Sequence, residues 1–273
     1  MKRKLFCQIS PLTYKISVEK NIALRKAADM LKGERFASEK QSAPLPVSVY
    51  SHKSLIRRRL GHVDMPLQNN KAVNLEIAAP KVNGILIKPG ETFSFWRLVG
   101  RDTRKKGYLE GLTIANGSIS SGIGGGMCQF TNLIHWLVLH SELTITEHHH
   151  HDGFDLFPDF GRQIPFGTGT SVMYNYLDYR VRNNTDQIYQ LLVHSDGEYL
   201  CGQLRAEKPQ TLKYHIHSYG ERFVREGNDV YRCGSVIREA VDKKTGSTVL
   251  HEIIRVNHAK VMYSTDNIEI QIS

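Results

Sequence analysis

The spacing of apolar positions predicts a few helices separated by short runs of strand character. From Val18 to Phe36, Ile22, Ala27, Met30 and Leu31 recur among Lys, Arg and Glu in the pattern of one amphipathic helix. The segment SAPLP (Ser42–Pro46) stops it, because proline cannot donate to a helix and biases its predecessor toward extended geometry. VSVYS then reads as a strand, and NKAVNLEIAAPKVNG as a helix bent or stopped near Pro80 and closed by Gly84. ILI, the turn KPGE and TFSFW read as strand, turn, strand, and LTIANGSIS as a hairpin about Asn116 and Gly117. Phe130, Leu133, Ile134, Leu137 and Val138 follow the i, i+3, i+4 rule of a mostly buried helix ending near Ser141. LTITEHHHH alternates like a strand, and two more strands flank the turn NNTD. The last seventy or so residues read as short strands with Gly-centred turns. The fold class expected is α+β, a mainly antiparallel sheet with helices packed on one side and a Gly-rich loop leading into a central helix.

Composition narrows the function classes. With 273 residues and 40% hydrophobic content the chain can bury a sizeable core. The net charge of +9 is spread along the chain, its dense cluster being Arg57–Arg59 with no interleaved aromatics, which argues against nucleic acid. An anionic small molecule or peripheral contact with an anionic membrane surface remains compatible with it. The first residues lack the apolar stretch of an export signal, and the longest apolar run, about Phe130 to Leu139, is broken by Thr131, Asn132 and His135. Neither a leader nor a transmembrane helix is expected. Four cysteines, Cys7, Cys128, Cys201 and Cys233, stand far apart with no CxxC, which suits free thiols in a reducing cytoplasm. Nothing in the sequence sets the oligomeric state.

Two stretches carry candidate chemistry. In SGIGGGMCQF, Gly124, Gly125 and Gly126 allow close backbone approach and precede a helix whose free N–H groups would sit beside Cys128. A thiol there is expected to be acidified by the helix N-terminus; a plain packing cysteine is the alternative. The loop lacks the Lys and Ser/Thr of a phosphate-binding P-loop. In TEHHHHDG, strand alternation would put Glu147, His149 and His151 on one side, and His148, His150 and Asp152 on the other. An imidazole facing Cys128 would serve as general base, with Asp178 orienting it and Asp159 as the substitute. The same HxH with Cys128 also suits Zn²⁺, and a His run is often only a polar loop. We expect no cofactor and no bound metal.

The combination KPGETFSFWRLVG, NGSISSGIGGGMCQ, TEHHHH, FGRQIPFGTGTSV and YRVRNNTD resembles the VanW-like family over roughly Val73 to Val193. The family's GGGxCQ falls on Gly124, Gly125, Gly126, Cys128 and Gln129, its ExHxH on Glu147, His149 and His151, and its GR pair on Gly161 and Arg162. Where many members carry a Ser-Thr-Thr run after the Cys-Gln pair, this chain has Thr131, Asn132 and Leu133. The resemblance implies an association with glycopeptide resistance and peptidoglycan precursor chemistry, without an established reaction. The organisation expected is an N-terminal helical segment (1–46), a VanW-like domain (47–200) and a C-terminal β-rich extension (201–273) packed on the same domain. The candidate reaction is hydrolysis or acyl transfer by Cys128 with His149 or His151 as base and Asp178 as orienter. Gly124–Gly126, Gln129 and Arg162 would bind the substrate, the Arg162 fork taking a carboxylate. The rival is a non-catalytic module holding an anionic wall precursor or a protein partner on the same loop.

Overall fold

The computed structural model describes residues 5–58, 65–115, 118–151, 153–159, 163–174 and 176–272. Its elements run α1 (Pro11–Leu31), β1 (Val47–Leu55), α2 (Met65–Val82), β2 (Ile85–Ile87), β3 (Thr92–Ser94), α3 (Phe95–Val99), β4 (Glu110–Ala115), β5 (Ser118–Ile123) and α4 (Met127–Leu139). There follow β6 (Thr144–Glu147), β7 (Phe154–Asp155), β8 (Arg180–Arg182), β9 (Tyr189–Ser195), β10 (Tyr199–Ala206), β11 (Leu212–Glu226), β12 (Asp229–Asp242), β13 (Thr248–Val261) and β14 (Ile270–Ile272). The class is α+β, as the residue pattern predicts.

Four sheets divide these strands: β1-β10-β9-β2, β3-β8-β6, the hairpin β4-β5, and the long sheet β14-β11-β12-β13-β7. Pairing is antiparallel except where β14 joins β11 and β7 joins β13. The core lies between α2, α4 and the first two sheets. Leu75, Ala78 and Val82 of α2 and Phe130, Ile134 and Leu137 of α4 pack there with Phe93, Phe95, Val181, Leu191 and Leu204. Gly202 of β10 meets Leu133 and Leu137 of α4 so closely that a Cβ would have to displace them, so the glycine sets the distance between helix and sheet.

Several elements differ from expectation, each for a visible reason. α1 starts at Pro11, not Val18, because Ser10 caps it by accepting from the Thr13 N–H and Pro11 suits the first helical position. TFSFW is not a single strand: the Ser94 side chain accepts from the Arg97 N–H and turns the chain into α3 at Phe95. β8 and β9 do not pair across NNTD but belong to different sheets. Asn183 donates 2.7 Å bonds to the carbonyls of Ile87 and Gln187 and so carries the chain from one sheet to the other. The C-terminal strands are long. Gly220 and Gly234 lie inside β11 and β12 at a register shift, while the chain turns near Gly227 and Gly246. The predicted Asn116–Gly117 turn lies outside the described residues.

Ion pairs fasten the outer segments. Arg180 of β8 holds Asp29 of α1 through bonds of 2.7 and 2.9 Å. Arg232 of β12, only 2% exposed, contacts Asp155 at 3.3 Å, Glu221 at 2.6 Å, and Asp159. The second cluster anchors the stretch from Gly153 to Pro158 that walls the cavity described next.

Candidate functional site

The glycine loop and the first turn of α4 open onto a cavity of about 1370 Å³. That volume exceeds the ~300–1,000 Å³ of an ordinary small-molecule site and has room for an extended ligand. Gly126 precedes α4 with φ +111°, and no side chain caps the helix. Met127 and Cys128 begin the helix in the cavity wall, while the Gln129 N–H bonds the Gly126 carbonyl at 2.9 Å. The loop is held rigidly. Asn74 of α2 donates to the carbonyls of Gly125 (2.9 Å) and Leu109 (3.0 Å), and accepts from the Leu109 N–H at 2.8 Å. Gly125 lies so close to Gly111 that neither has space for a Cβ.

Cys128 lies in the wall of this cavity, half-buried, within the first turn of α4. The stretch Thr168–Val172 packs over that turn. Thr170 bonds Thr131 and both its N–H (2.6 Å) and its hydroxyl (2.9 Å) donate to Asn132 Oδ1. Thr131 and Asn132 thus pin the neighbouring segment. The expected acidification of the thiol is not what the surroundings produce: burial pushes the Cys128 thiol up, opposed by N–H donation from the Val172 backbone and its own. The helix end cannot offset the loss of water around the sulfur.

The histidine run leaves the sheet at Glu147. Alternation survives for two pairs: His149 Nε2 bonds Glu147 Oε1 at 2.9 Å, and His148 packs against His150 with ring centroids 4.0 Å apart and the rings tilted by 55°. It fails at His151, which shares the cavity wall with His150. His149 and Asp178 are not on that wall. Asp178 does not orient an imidazole: it accepts from the Ser94 hydroxyl (2.5 Å), the Trp96 N–H (3.0 Å) and Arg180 Nε (2.9 Å), fastening α3 to β8. The carboxylate on His149 is Glu147, which also pairs with Arg25 and accepts from the Asp178 N–H at 2.8 Å. Burial favours the neutral acid at Glu147, but the bonds from His149, the Asp178 backbone and Arg25 outweigh it and hold the carboxyl below its ordinary range. Asp159 is taken by Arg232.

Gln129 lines the cavity and ties it to β1, donating to Ser54 Oγ at 2.9 Å and the Leu55 carbonyl at 2.8 Å. Arg162 and Gly161 lie outside the described residues, as does Asp152. Among the described residues Cys128 and the histidines form no cluster tight enough to hold a metal ion; the one that does is Glu226, Cys233 and His258 on the long sheet. Two cavity residues escaped the sequence reading. Lys71 of α2 and Asp102 after α3 both line the wall. The signal for Lys71 was its place on the apolar face of its helix, one turn from Asn74 and four residues from Leu75. Asp102 packs against Gly124, and burial raises its carboxyl to about 6.

The family model described as VanW like protein matches residues 70–205, which include α2, the glycine loop, Cys128 and the histidine run. The chain is 39% identical over 209 residues to the vancomycin B-type resistance protein VanW of Enterococcus faecalis, covering 76% of each chain. It belongs to the VanW-like family. A second relative, 30% identical over 121 residues, is the uncharacterized protein YoaR of Bacillus subtilis, covering 43% of this chain and 37% of that one. No solved structure matches. No described helix of this VanW-like chain is long and apolar enough to cross a membrane.

Proposed function

We propose that this protein is a cysteine-dependent hydrolase or acyltransferase acting on D-alanyl amide or ester bonds of peptidoglycan precursors, in the setting of glycopeptide resistance. The similarity to the VanW resistance protein supports the setting. The scatter of the four cysteines favours the cytoplasmic side of wall synthesis. The observation that carries the chemistry is the position of Cys128, in the first turn of an uncapped helix behind three glycines, on the wall of a cavity large enough for a peptide.

The step follows from these parts. Cys128 Sγ attacks the scissile carbonyl carbon while His151, on the same wall, takes the thiol proton. The N–H groups at the start of α4 stabilise the oxyanion. The carbon–nitrogen or carbon–oxygen bond then breaks, the proton passes to the departing D-alanine or alcohol, and a thioester remains. Water completes hydrolysis; an amine completes acyl transfer. Because burial keeps the thiol protonated, the base must act during the attack rather than before it. Incubating the protein with diacetyl-Lys-D-Ala-D-Ala and diacetyl-Lys-D-Ala should release free D-alanine, measured by chromatography and mass spectrometry, and Cys128→Ala should abolish the release. Equal release by wild type and variant would overturn the reading.

The raised thiol favours a second reading, in which the cavity holds an anionic wall precursor without transforming it. Stoichiometric binding with no turnover by wild-type protein would select it.

A further inference from the structure

The face that α2 turns toward the core carries a polar stripe, Gln68, Lys71 and Asn74, at intervals of three residues. Asn74 is fully employed on the glycine loop. Lys71 is 5% exposed and lines the cavity, yet among the described residues its ammonium has no hydrogen bond and no ion pair. Its aliphatic chain runs directly over Gly126, where any Cβ would overlap it. The glycine that opens α4 is therefore also what lets the lysine reach the cavity. One turn earlier, Gln68 is fully buried with neither amide atom bonded among the described residues.

A buried cation without a counter-ion is unfavourable, and the surroundings make this one worse. Burial, then Arg58 and Arg57, push the Lys71 amine down to about 7. The Arg57 guanidinium is spent on Asn69 Oδ1 (2.8 Å) and the Gly197 carbonyl (2.7 Å). Asp102 lies against Gly124 and forms no described ion pair with Lys71. What the Lys71 ammonium lacks among the described residues is a counter-ion, at the point where the thirteen-residue helix α4, which no side chain caps, begins in the cavity wall.

We infer that Lys71 and the first turn of α4 form a subsite for a single oxyanion, a carboxylate or a phosphate, that anchors the ligand beside Cys128. The inference rests on the cavity being the ligand site, as proposed above, but not on Cys128 performing chemistry. An anion in contact with Lys71 favours its charged form, so binding above neutral pH takes up a proton. The guanidiniums of Arg57 and Arg58 line this end of the cavity, and His52 there is pushed down by burial and Arg58. Asp102 titrates near 6, and burial pushes Cys128 up. Of these groups, Lys71 is the one brought down to about 7.

Calorimetric titration of the Cys128→Ala protein, which excludes turnover, with diacetyl-Lys-D-Ala-D-Ala, its C-terminal amide and inorganic phosphate tests this. The expected result is that one of the two anions binds and the amide does not, with affinity falling about tenfold from pH 7 to 8.5. Lys71→Met should weaken that binding at least tenfold at pH 7 without lowering the melting temperature. Lys71→Arg should bind the acid peptide with a flat pH profile, since neither guanidinium nor carboxylate titrates there; phosphate, which itself gains charge over this range, is compared between the variants at one fixed pH. Binding of the acid peptide or of phosphate names the anion and supports the subsite in either case. Binding that is flat with pH in the Lys71 protein and unchanged in Lys71→Met, or no binding of either anion, overturns it. Anion binding as described with no D-alanine release by wild type leaves the subsite standing and removes the acyl-transfer reading.

Discussion

Asn74→Ala is the substitution that most directly asks whether α2 builds the glycine loop. The side chain is fully buried and makes three bonds, to the N–H and carbonyl of Leu109 and to the carbonyl of Gly125. Alanine leaves the Leu109 N–H and the Gly125 carbonyl without this partner; the Leu109 carbonyl keeps the Gly124 N–H at 3.0 Å. At roughly 1 kcal/mol for each bond lost, and more for a buried group left unmade, the cost is about 3 kcal/mol. For a chain of this size that corresponds to a fall of about 6–12 °C in Tm. Asn70 is the built-in control: on the same helix, it makes one exposed bond of 2.8 Å to the Glu110 carbonyl. Its alanine variant should lose less than about 1 kcal/mol. Thermal unfolding followed by circular dichroism compares the two. If Asn74→Ala costs no more than Asn70→Ala, the loop is not held as described and the position assigned to Cys128 loses its foundation.

Other consequences can be checked with the same protein. Burial holds His140 down at about 4 and His148 at about 3, so between those values and the ordinary imidazole value of ~6.5 the unfolded chain binds protons that the folded chain does not, and stability must rise with pH across that window. His140→Phe, which keeps a ring against Tyr50, should flatten part of that rise, read as Tm at pH 4.5 against pH 7. His151→Ala should depress D-alanine release by at least about a hundredfold, whereas His149→Ala, which removes a bond to Glu147, should act on Tm; reversed effects would exchange the roles assigned to the two. Iodoacetamide labelling of Cys128, mapped by peptide mass spectrometry, should be slow at pH 6.5 and still climbing above pH 9; a plateau below pH 7 would mean an acidified thiol and a misjudged burial.

What was legible in the sequence is what depends on local periodicity. The five apolar positions of α4 announce a buried helix, and the glycines before it mark its start. Pro89 and Gly90 predict a turn at KPGE, and Gly90 does take φ +78° between β2 and β3. The errors arose where a tertiary partner overrides a local pattern. Phe93, Ser94 and Phe95 alternate like a strand, but Asp178, distant in sequence, accepts from the Ser94 hydroxyl and the Trp96 N–H and fixes a helix start there. Glu147 to His151 also alternate, yet the Ser171 N–H bonds the His149 carbonyl at 2.7 Å and draws the run off the sheet, so that His150 and His151 share one wall. Lysine on a helix normally means solvent, so local pattern alone does not place Lys71 inside. Only the packing of Gly126 and the cavity behind it show that this one is inside.

The central claim, that Cys128 carries an acyl group between bond cleavage and release, is tested most directly by intact-mass spectrometry of the protein quenched in acid after brief incubation with diacetyl-Lys-D-Ala-D-Ala. The account predicts a mass gain equal to the peptide's acyl portion without its departing D-alanine. The gain should map to the peptide containing Cys128, be released by hydroxylamine, and be absent from Cys128→Ala. An unchanged mass in wild-type protein that is nonetheless releasing D-alanine, or an adduct that persists in Cys128→Ala, would contradict it.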